Sequence, residues 1–380
     1  MTISNSRLKF DMTELANEIL DSMDQSLFER DDTTFLDPAM AGGQLLKAVE
    51  VRLLEHGHSK ENISKRVTGV SENPLHAGFA RKTNDLLCQI VTKESIDMEF
   101  QPDVVLVNPP FQNPNSKSSS GKLWGKFVEN SFERVAEGGT VAVICPNSWT
   151  KGEVSPQGNG KLLKLLSDNN TIRVNNGDCG KHFPNFGVTF SYFVAEKKEN
   201  EGMCTLLQNG LESEFDMSKC RFIPKNLEVI DLVHKFFSHE AFNSTLITNT
   251  RNHHIEFSNR GKTEVVTNGK LKMAKRTEYD DDPKVTIPWA NTFDKVMYGE
   301  FVAGDSNLVF PCEKNQMENL IGVLTSKLYQ FCNNQLRMAH HNEAARMFPA
   351  VDIDRSWNDE QLYAHFELTE EEIEYVEQSS

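Results

Sequence analysis

Residues Asn108-Pro109-Pro110-Phe111 put unusual chemistry directly behind an apolar run. Two prolines remove two backbone donors and fix φ, so the corner is rigid and its carbonyls point outward. Asn108 offers a side-chain acceptor oxygen beside the Pro109 carbonyl, and Phe111 offers a stacking face. Two acceptors at fixed spacing suit a flat –NH2 group with two hydrogens. A second constellation is Asp37-Pro38-Ala39-Met40-Ala41-Gly42-Gly43. Its small residues let the backbone approach a ligand closely. A carboxylate at Asp37 suits a cationic or hydroxyl-bearing ligand rather than a pyrophosphate. A third is Ser71-Glu72, an acid placed to hydrogen-bond a ribose diol. An Ala-Gly-Gly turn alone is an ordinary strand-to-helix turn; the weight rests on the Asn-Pro-Pro-Phe corner.

Each constellation ends a strand-like run: Thr33 to Leu36, Val67 to Val70, and Asp103 to Val107, the last continuously apolar as in a buried parallel sheet. Helical spacing over residues 11–30, after Gly43, through Ala77 to Leu87, from Leu123 to Val135 and over 161–167 alternates with these runs. Further strands are expected at Thr140–Cys145, Thr171–Val174 and Val188–Glu196. The pattern implies an α/β fold, a doubly wound and mostly parallel sheet, in which ligands sit outside the carboxyl ends of the strands. A polar break at Asn200–Met203 suggests a boundary. The expected units are 1–200, 201–350 with a mixed α+β pattern, and 351–380 as an acidic helical ending with Ile373 and Val376 inward.

The 380 residues carry a net charge of −15, but Val351–Ser380 holds −9 of it, with ten acids against Arg355. Global charge therefore decides nothing about phosphate binding, and clusters must. Residues 112–126 carry Lys117, Lys122 and Lys126 and no acid. Residues 251–276 hold seven bases, Lys270, Lys272, Lys275 and Arg276 among them, against Glu256 and Glu264. The competing reading of each cluster is a solvated face, and it weighs more heavily for the second than for the first. Seven scattered cysteines without a C-x-x-C pair fit free thiols in a reducing cytosol. No apolar run is long enough to span a membrane and no secretory leader stands at the start, so a cytoplasmic location is expected. His253-His254-x-Glu256 and His340-His341 lack a metal-ligand framework.

Residues Phe35 to Gly43, Gly69 to Leu75 and Asp103 to Phe111 together resemble the S-adenosylmethionine-dependent adenine-specific DNA methyltransferases of restriction–modification systems. The likeness is to the branch with the cofactor turn first and the recognition domain last. Glu137 to Ser148, Phe183-Pro184 with Val188-Thr189, and the ending from Trp357 also fit. The resemblance implies a Rossmann-like catalytic domain, S-adenosylmethionine as cofactor, duplex DNA as partner and no metal. It implies catalysis by Asn108, Pro109, Pro110 and Phe111 on a flipped adenine, and cofactor contacts from Asp37, Pro38, Ala39, Gly42, Gly43, Ser71, Glu72 and Asn108. The family's turn usually has Gly where Ala41 stands, and its second-strand acid usually sits at the position of Ser71. Asp97 and Glu94 are candidates for the adenine-ring contact of the cofactor. With 36 residues before Asp37, a methylase without a fused nuclease is expected. A homodimer, or a separate nuclease or specificity subunit, stays open. Rival readings are a protein glutamine methyltransferase, an RNA adenine methyltransferase, and a non-catalytic DNA-binding subunit of the same fold.

Overall fold

A computed structural model describes residues 12–71, 74–92, 100–110, 123–154, 160–183, 189–247, 251–290, 292–337 and 341–379. The chain divides into two compact units, residues 1–150 with 159–220 and residues 151–158 with 221–380.

The first unit is built on nine strands: β1 (Phe35–Asp37), β2 (Val67–Val70), β3 (Gln89–Val91), β4 (Val104–Val107), β5 (Thr140–Pro146), β6 (Asn169–Asn176), β7 (Phe190–Glu199), β8 (Met203–Gln208) and β9 (Leu211–Asp216). Their order is β3-β2-β1-β4-β5-β7-β6-β8-β9. Strands β3 to β5 across that row pair in parallel, and β7 inserts antiparallel between β5 and β6. The helices of this unit are α1 (Thr13–Asp21), α2 (Ser26–Glu29), α3 (Gln44–Glu55), α4 (Lys60–Arg66), α5 (Pro74–Asn84), α6 (Trp124–Arg134) and α7 (Gly160–Asp168). Strand alternation splits the burial between two layers. Val104, Leu106, Ala142, Ile144, Tyr192 and Val194 face a core shared with α1, α3, α4 and α5. Phe193 points the other way, stacking on Phe132 of α6 and meeting Trp149 edge-on. The doubly wound, mostly parallel sheet expected from the sequence is therefore present.

Two local departures have physical causes. The single helix expected over 11–30 breaks at 22–25, where the Asp24 carboxylate accepts from the backbone and hydroxyl of Ser26 and starts α2 afresh. The first unit also runs to Cys220 rather than to a break near 200, because the β8–β9 hairpin adds two strands to the sheet. Asn209 (φ 54°) and Gly210 (φ 76°) make its turn, both left-handed as a two-residue hairpin loop needs.

The second unit carries two four-stranded sheets. The first joins β10 (Thr245–Ile247), β14 (Pro283–Pro288), β15 (Met297–Glu300) and β17 (Asn307–Pro311). The second joins β11 (Glu256–Phe257), β12 (Thr263–Thr267), β13 (Lys270–Arg276) and β16 (Val302–Ala303). Helices α8 (Ile230–Phe237), α9 (Met317–Leu324), α10 (Lys327–Leu336), α11 (Asp359–His365) and α12 (Glu370–Gln378) share one aromatic-rich core with β14 and β17. The acidic ending is part of that core. Thr369 and Glu372 form a capping box for α12, and Val376 is fully buried. No helix among the described residues is long and apolar enough to cross a membrane.

Candidate active site

The strand order reverses between β1 and β4, since the chain proceeds outward from β1 through β2 to β3 and from β4 to β5 on the other side. Right-handed crossovers then leave a crevice at the carboxyl ends of β1 and β4. Asp37 ends β1, and Asn108 follows the last residue of β4. Phe35 pairs with Val104 and Leu36 with Val105, so Asp37 lies level with Leu106. Strand spacing and rise then put Asn108 one strand over and two residues further, about 8 Å from Asp37 between Cα atoms.

That register is held from the opposite end. The Asp103 carboxylate accepts from both the backbone N–H and the hydroxyl of Thr34 at 2.8 Å, and the Asp103 N–H donates back to Thr34 Oγ1 at 3.0 Å. A slip of one residue would break all three contacts and turn every side chain of β1 to the wrong face. Asp103 is a positioning residue that sequence alone shows only as the start of a strand.

The turn after β1 is closed by its own chain. Asp37 Oδ1 accepts from the Ala39 N–H at 2.9 Å, the Met40 N–H donates to the Val70 carbonyl at 3.1 Å, and the Asn84 amide donates to the Gly42 carbonyl at 2.6 Å. Gly43 takes the left-handed φ of 75° that favours glycine, and a Cβ there would also displace Leu86 Cδ1, which it would meet at 2.5 Å. Ala41 adopts φ 42° and is exposed, the left-handed conformation that glycine takes freely. Pro38, Ala39 and Gly42 are half-buried along the same turn.

Asp37 is 2% exposed and no cation meets it among the described residues. Burial pushes its carboxyl up to about 7, opposed by the Ala39 N–H. Ser71, at the end of β2, is buried, and its N–H is taken by the Val91 carbonyl at 3.0 Å. Asn108 is half-buried, and no hydrogen bond engages its amide among the described residues; Pro109 is buried and Pro110 half-buried. Asp37, Pro38, Ala39, Gly42, Gly43, Ser71, Asn108, Pro109 and Pro110 thus gather at one edge of the sheet. Glu72, Glu94, Asp97, Phe111, Lys117 and Lys122 lie outside the described residues.

The expected basic residues are distributed unevenly. Lys126 is exposed on α6. On β13, Lys270 and Lys272 occupy alternate positions and share one face, with the Lys272 ammonium 5.1 Å from the centre of the Phe257 ring. Lys275 falls on the other face and pairs with Glu256 at 3.5 Å. The strand therefore presents two exposed lysines on one side, one of them over the Phe257 ring, rather than one continuous patch; the Arg276 backbone ends it.

No family model matches the chain, and no curated protein does. Solved structures do. A nuclease-deletion mutant of the Type ISP restriction–modification enzyme LlaGI, in complex with a DNA substrate mimic, matches with a TM-score of 0.57 at 11% identity over 89% of this chain and 52% of its own. The Type IIL restriction–modification enzyme MmeI in complex with DNA matches with 0.50 at 12% over 87% and 63%. The M protein of the Type I restriction enzyme EcoKI matches with 0.37 at 13% over 50% and 46%. The likeness is one of fold: this chain has the Rossmann-like methyltransferase fold, with additional sheets in its C-terminal region. It spans from 46% to 63% of the length of these three structures.

Proposed function

We propose that the chain is a DNA methyltransferase that moves a methyl group from S-adenosylmethionine to the exocyclic amine of adenine in duplex DNA. The observation that carries this reading is an Asn-Pro-Pro corner beside a buried carboxylate that meets no cation among the described residues, at the switch point of the sheet. The structural likeness to restriction–modification enzymes, two of them bound to DNA or a DNA mimic, supports the same class.

The residues present fit S-adenosylmethionine. Asp37 is a buried acceptor awaiting a positive group, and the 39–43 turn brings backbone rather than bulk against a ligand. Asp37 would hold the cofactor's ammonium, and Ser71 with Glu72 would face its ribose. When bound, the cofactor supplies an electrophilic methyl carbon on sulfur.

Adenine's amine is a poor nucleophile because its lone pair is delocalised into the ring. Asn108 Oδ1 and the Pro109 carbonyl accept its two hydrogens, which draws the nitrogen toward a tetrahedral shape and localises the lone pair. The corner is rigid before substrate arrives, so its acceptors need no reorganisation. Phe111 stacks on the base. A duplex hides this amine from a concave pocket, so the nucleotide is everted. The proton turns acidic once nitrogen is alkylated, and no strong general base is needed. The second unit, with Lys270 and Lys272 on one face of β13, is the proposed reader of the DNA.

The test is modification-sensitive sequencing of DNA from cells expressing the chain, beside cells expressing Asn108→Ala. Methyl groups on adenine at a defined site are expected, with Asn108→Ala lowering transfer by about 10²–10³-fold, as for loss of one preorganised polar partner. Label in protein or in RNA alone, or full activity in Asn108→Ala, overturns the reading.

A further inference from the structure

The turn between β1 and α3 is held from two sides. Its first half is tied to the sheet: the Ala39 N–H donates to Asp37 Oδ1 at 2.9 Å, and the Met40 N–H donates to the carbonyl of Val70, the last residue of β2, at 3.1 Å. Its second half, Ala41-Gly42, passes through a φ of 42° at Ala41, a left-handed conformation that an L-residue adopts only at a cost. The contact seen on that stretch among the described residues comes from outside the turn. The Asn84 amide donates to the Gly42 carbonyl at 2.6 Å.

An asparagine that ends a helix ordinarily serves its own backbone. Asn84 ends α5, yet its amide crosses to a carbonyl 42 residues earlier in the chain. The chain presents that amide on a stiff support. Helix α5 sets out from Pro74, just past the end of β2, and its 11 residues make a strut of about 16 Å. The connection beyond it is fixed as well. Asp85 takes a φ of 47°, the Leu86 N–H donates to the Arg81 carbonyl at 3.2 Å, and Leu86 packs directly against Gly43. Lys47 Nζ donates to the Asp85 carbonyl at 2.9 Å, beside the Asn84 contact and without touching the turn.

The two halves of the turn are therefore anchored to the two ends of one element. Met40 is fixed to the end of β2, where α5 departs, and Gly42 is fixed to Asn84, where α5 stops. A strained stretch held by one amide relaxes when that amide is removed, and a ligand must then pay for reordering it.

We propose that Asn84 is a positioning residue for the cofactor: through Gly42 it sets the second half of the turn at a fixed spacing from the end of β2. What is positioned rests on the S-adenosylmethionine reading; the latch itself does not. Asn84 acts on binding and not on the methyl transfer step, because the Asn108 corner lies on another strand end.

The full chain, Asn84→Ala and Lys47→Met are compared in methyl transfer to duplex DNA, in thermal midpoint, and in hydrogen exchange of residues 39–43 without ligand. Asn84→Ala should raise KM for S-adenosylmethionine about five- to tenfold, the worth of one hydrogen bond, with kcat within about twofold. Exchange over 39–43 should quicken. Lys47→Met should move neither, whatever it does to the midpoint. Asn84→Gln, which keeps the amide, should recover most of the affinity, and Asn84→Leu should recover none. Asn84→Asp, of the same size without the donor, should repeat the loss if the alanine variant folds poorly. An unmoved KM in Asn84→Ala, at any midpoint, makes Asn84 structural and overturns the proposal. An equal rise in KM for Lys47→Met, or leucine matching glutamine, overturns it too. A wild type that binds no S-adenosylmethionine, with exchange at 39–43 still governed by Asn84, sinks the cofactor reading and leaves the latch.

Discussion

Asp37 in the first unit and Lys151 in the second are opposite charges in the same predicament. Each is buried, and burial drives both to about 7, the carboxyl upward and the ammonium downward. Glu50 and Arg66 are buried as well, and the chain answers each in part, leaving Glu50 Oε2 and Arg66 Nε and Nη2 without a hydrogen bond among the described residues. Glu50 Oε1 accepts from the N–H groups of Leu87 and Cys88 at 2.8 Å each, and Arg66 Nη1 donates to the carbonyls of Arg30 and Thr33. Those two hold the fold together: Glu50 ties α3 to the turn before β3, and Arg66 ties α4 to the approach to β1. Asp37 receives one local N–H, and no hydrogen bond to the Lys151 ammonium is seen among the described residues. A buried charge whose partners the chain supplies is part of the scaffold. Asp37 differs in its place, at the carboxyl end of a strand beside the switch point of the sheet, where a ligand of opposite sign is bound.

Asp37→Asn should break the comparison most visibly. Asparagine keeps the size and the acceptor for Ala39 but cannot attract a cation. Above pH 7 the affinity for S-adenosylmethionine should fall about 100-fold, on the order of 3 kcal/mol, by titration calorimetry. The free protein should respond the other way. A carboxyl whose folded pKa is raised contributes stability that is full below its ordinary value of 3.8 and is lost as pH rises through about 7. At pH 8 Asp37→Asn should therefore be the more stable chain, by up to about 4 kcal/mol for a shift of this size. Tight cofactor binding in the variant would make Asp37 a scaffold residue like Glu50.

Glu50→Ala supplies the contrast. It strands two buried N–H groups, so stability should fall by about 2–3 kcal/mol in chemical denaturation. Cofactor affinity of the folded fraction should stay within about twofold. A large affinity loss at unchanged stability would blur the distinction between the two kinds of buried charge.

Lower in magnitude is the pH dependence of the Asp37 pocket. A bound ammonium favours the carboxylate, so binding expels the proton that Asp37 holds below pH 7. The dissociation constant should rise by up to about tenfold per unit as pH drops below about 7, and level off above it. Asp37→Asn should flatten this limb. A slope of opposite sign, or one that survives in the variant, assigns the titration elsewhere.

These residues differ in how far the sequence reveals them. Asp37 and Asn108 are legible because each closes an apolar strand with residues that only a special backbone tolerates, and strand ends are where a doubly wound sheet binds ligands. Strands β1, β2, β4 and β5 are legible for the same reason, as apolar runs cut by turn chemistry. The β8–β9 hairpin had its signal in Asn209-Gly210, but the polar residues just before it read as a boundary. Strand β3 is three residues long and only half-buried, too short to show a period, so the sequence reading has no strand there. The Asp103–Thr34 clasp and the Asn84–Gly42 contact depend on which strands and loops become neighbours, which no local pattern states. Lys151 is the extreme case. On paper it is a lysine in a polar loop, and only tertiary burial sets it apart from any other.

The smallest expected effect concerns Ala41, where this chain departs from the glycine usual in the family it resembles. Its φ of 42° costs an L-residue about 1–2 kcal/mol, and its exposed methyl returns little burial in compensation. Glycine would remove that strain at an unfolded-state cost of about 0.5–1 kcal/mol. Ala41→Gly should thus be neutral to stabilising by about 1 kcal/mol, whereas Ala41→Val should destabilise by about 1–2 kcal/mol, since β-branching forbids the conformation. The order Gly, Ala, Val in denaturation midpoints tests the turn's backbone independently of any ligand. Cofactor affinity should follow the same order only weakly, because the turn is already closed by the hydrogen bonds of Ala39, Met40 and Asn84. If valine instead removed cofactor binding at little cost in stability, the room above Ala41 would belong to the ligand, and the missing glycine would mark a narrowed pocket rather than a strained turn.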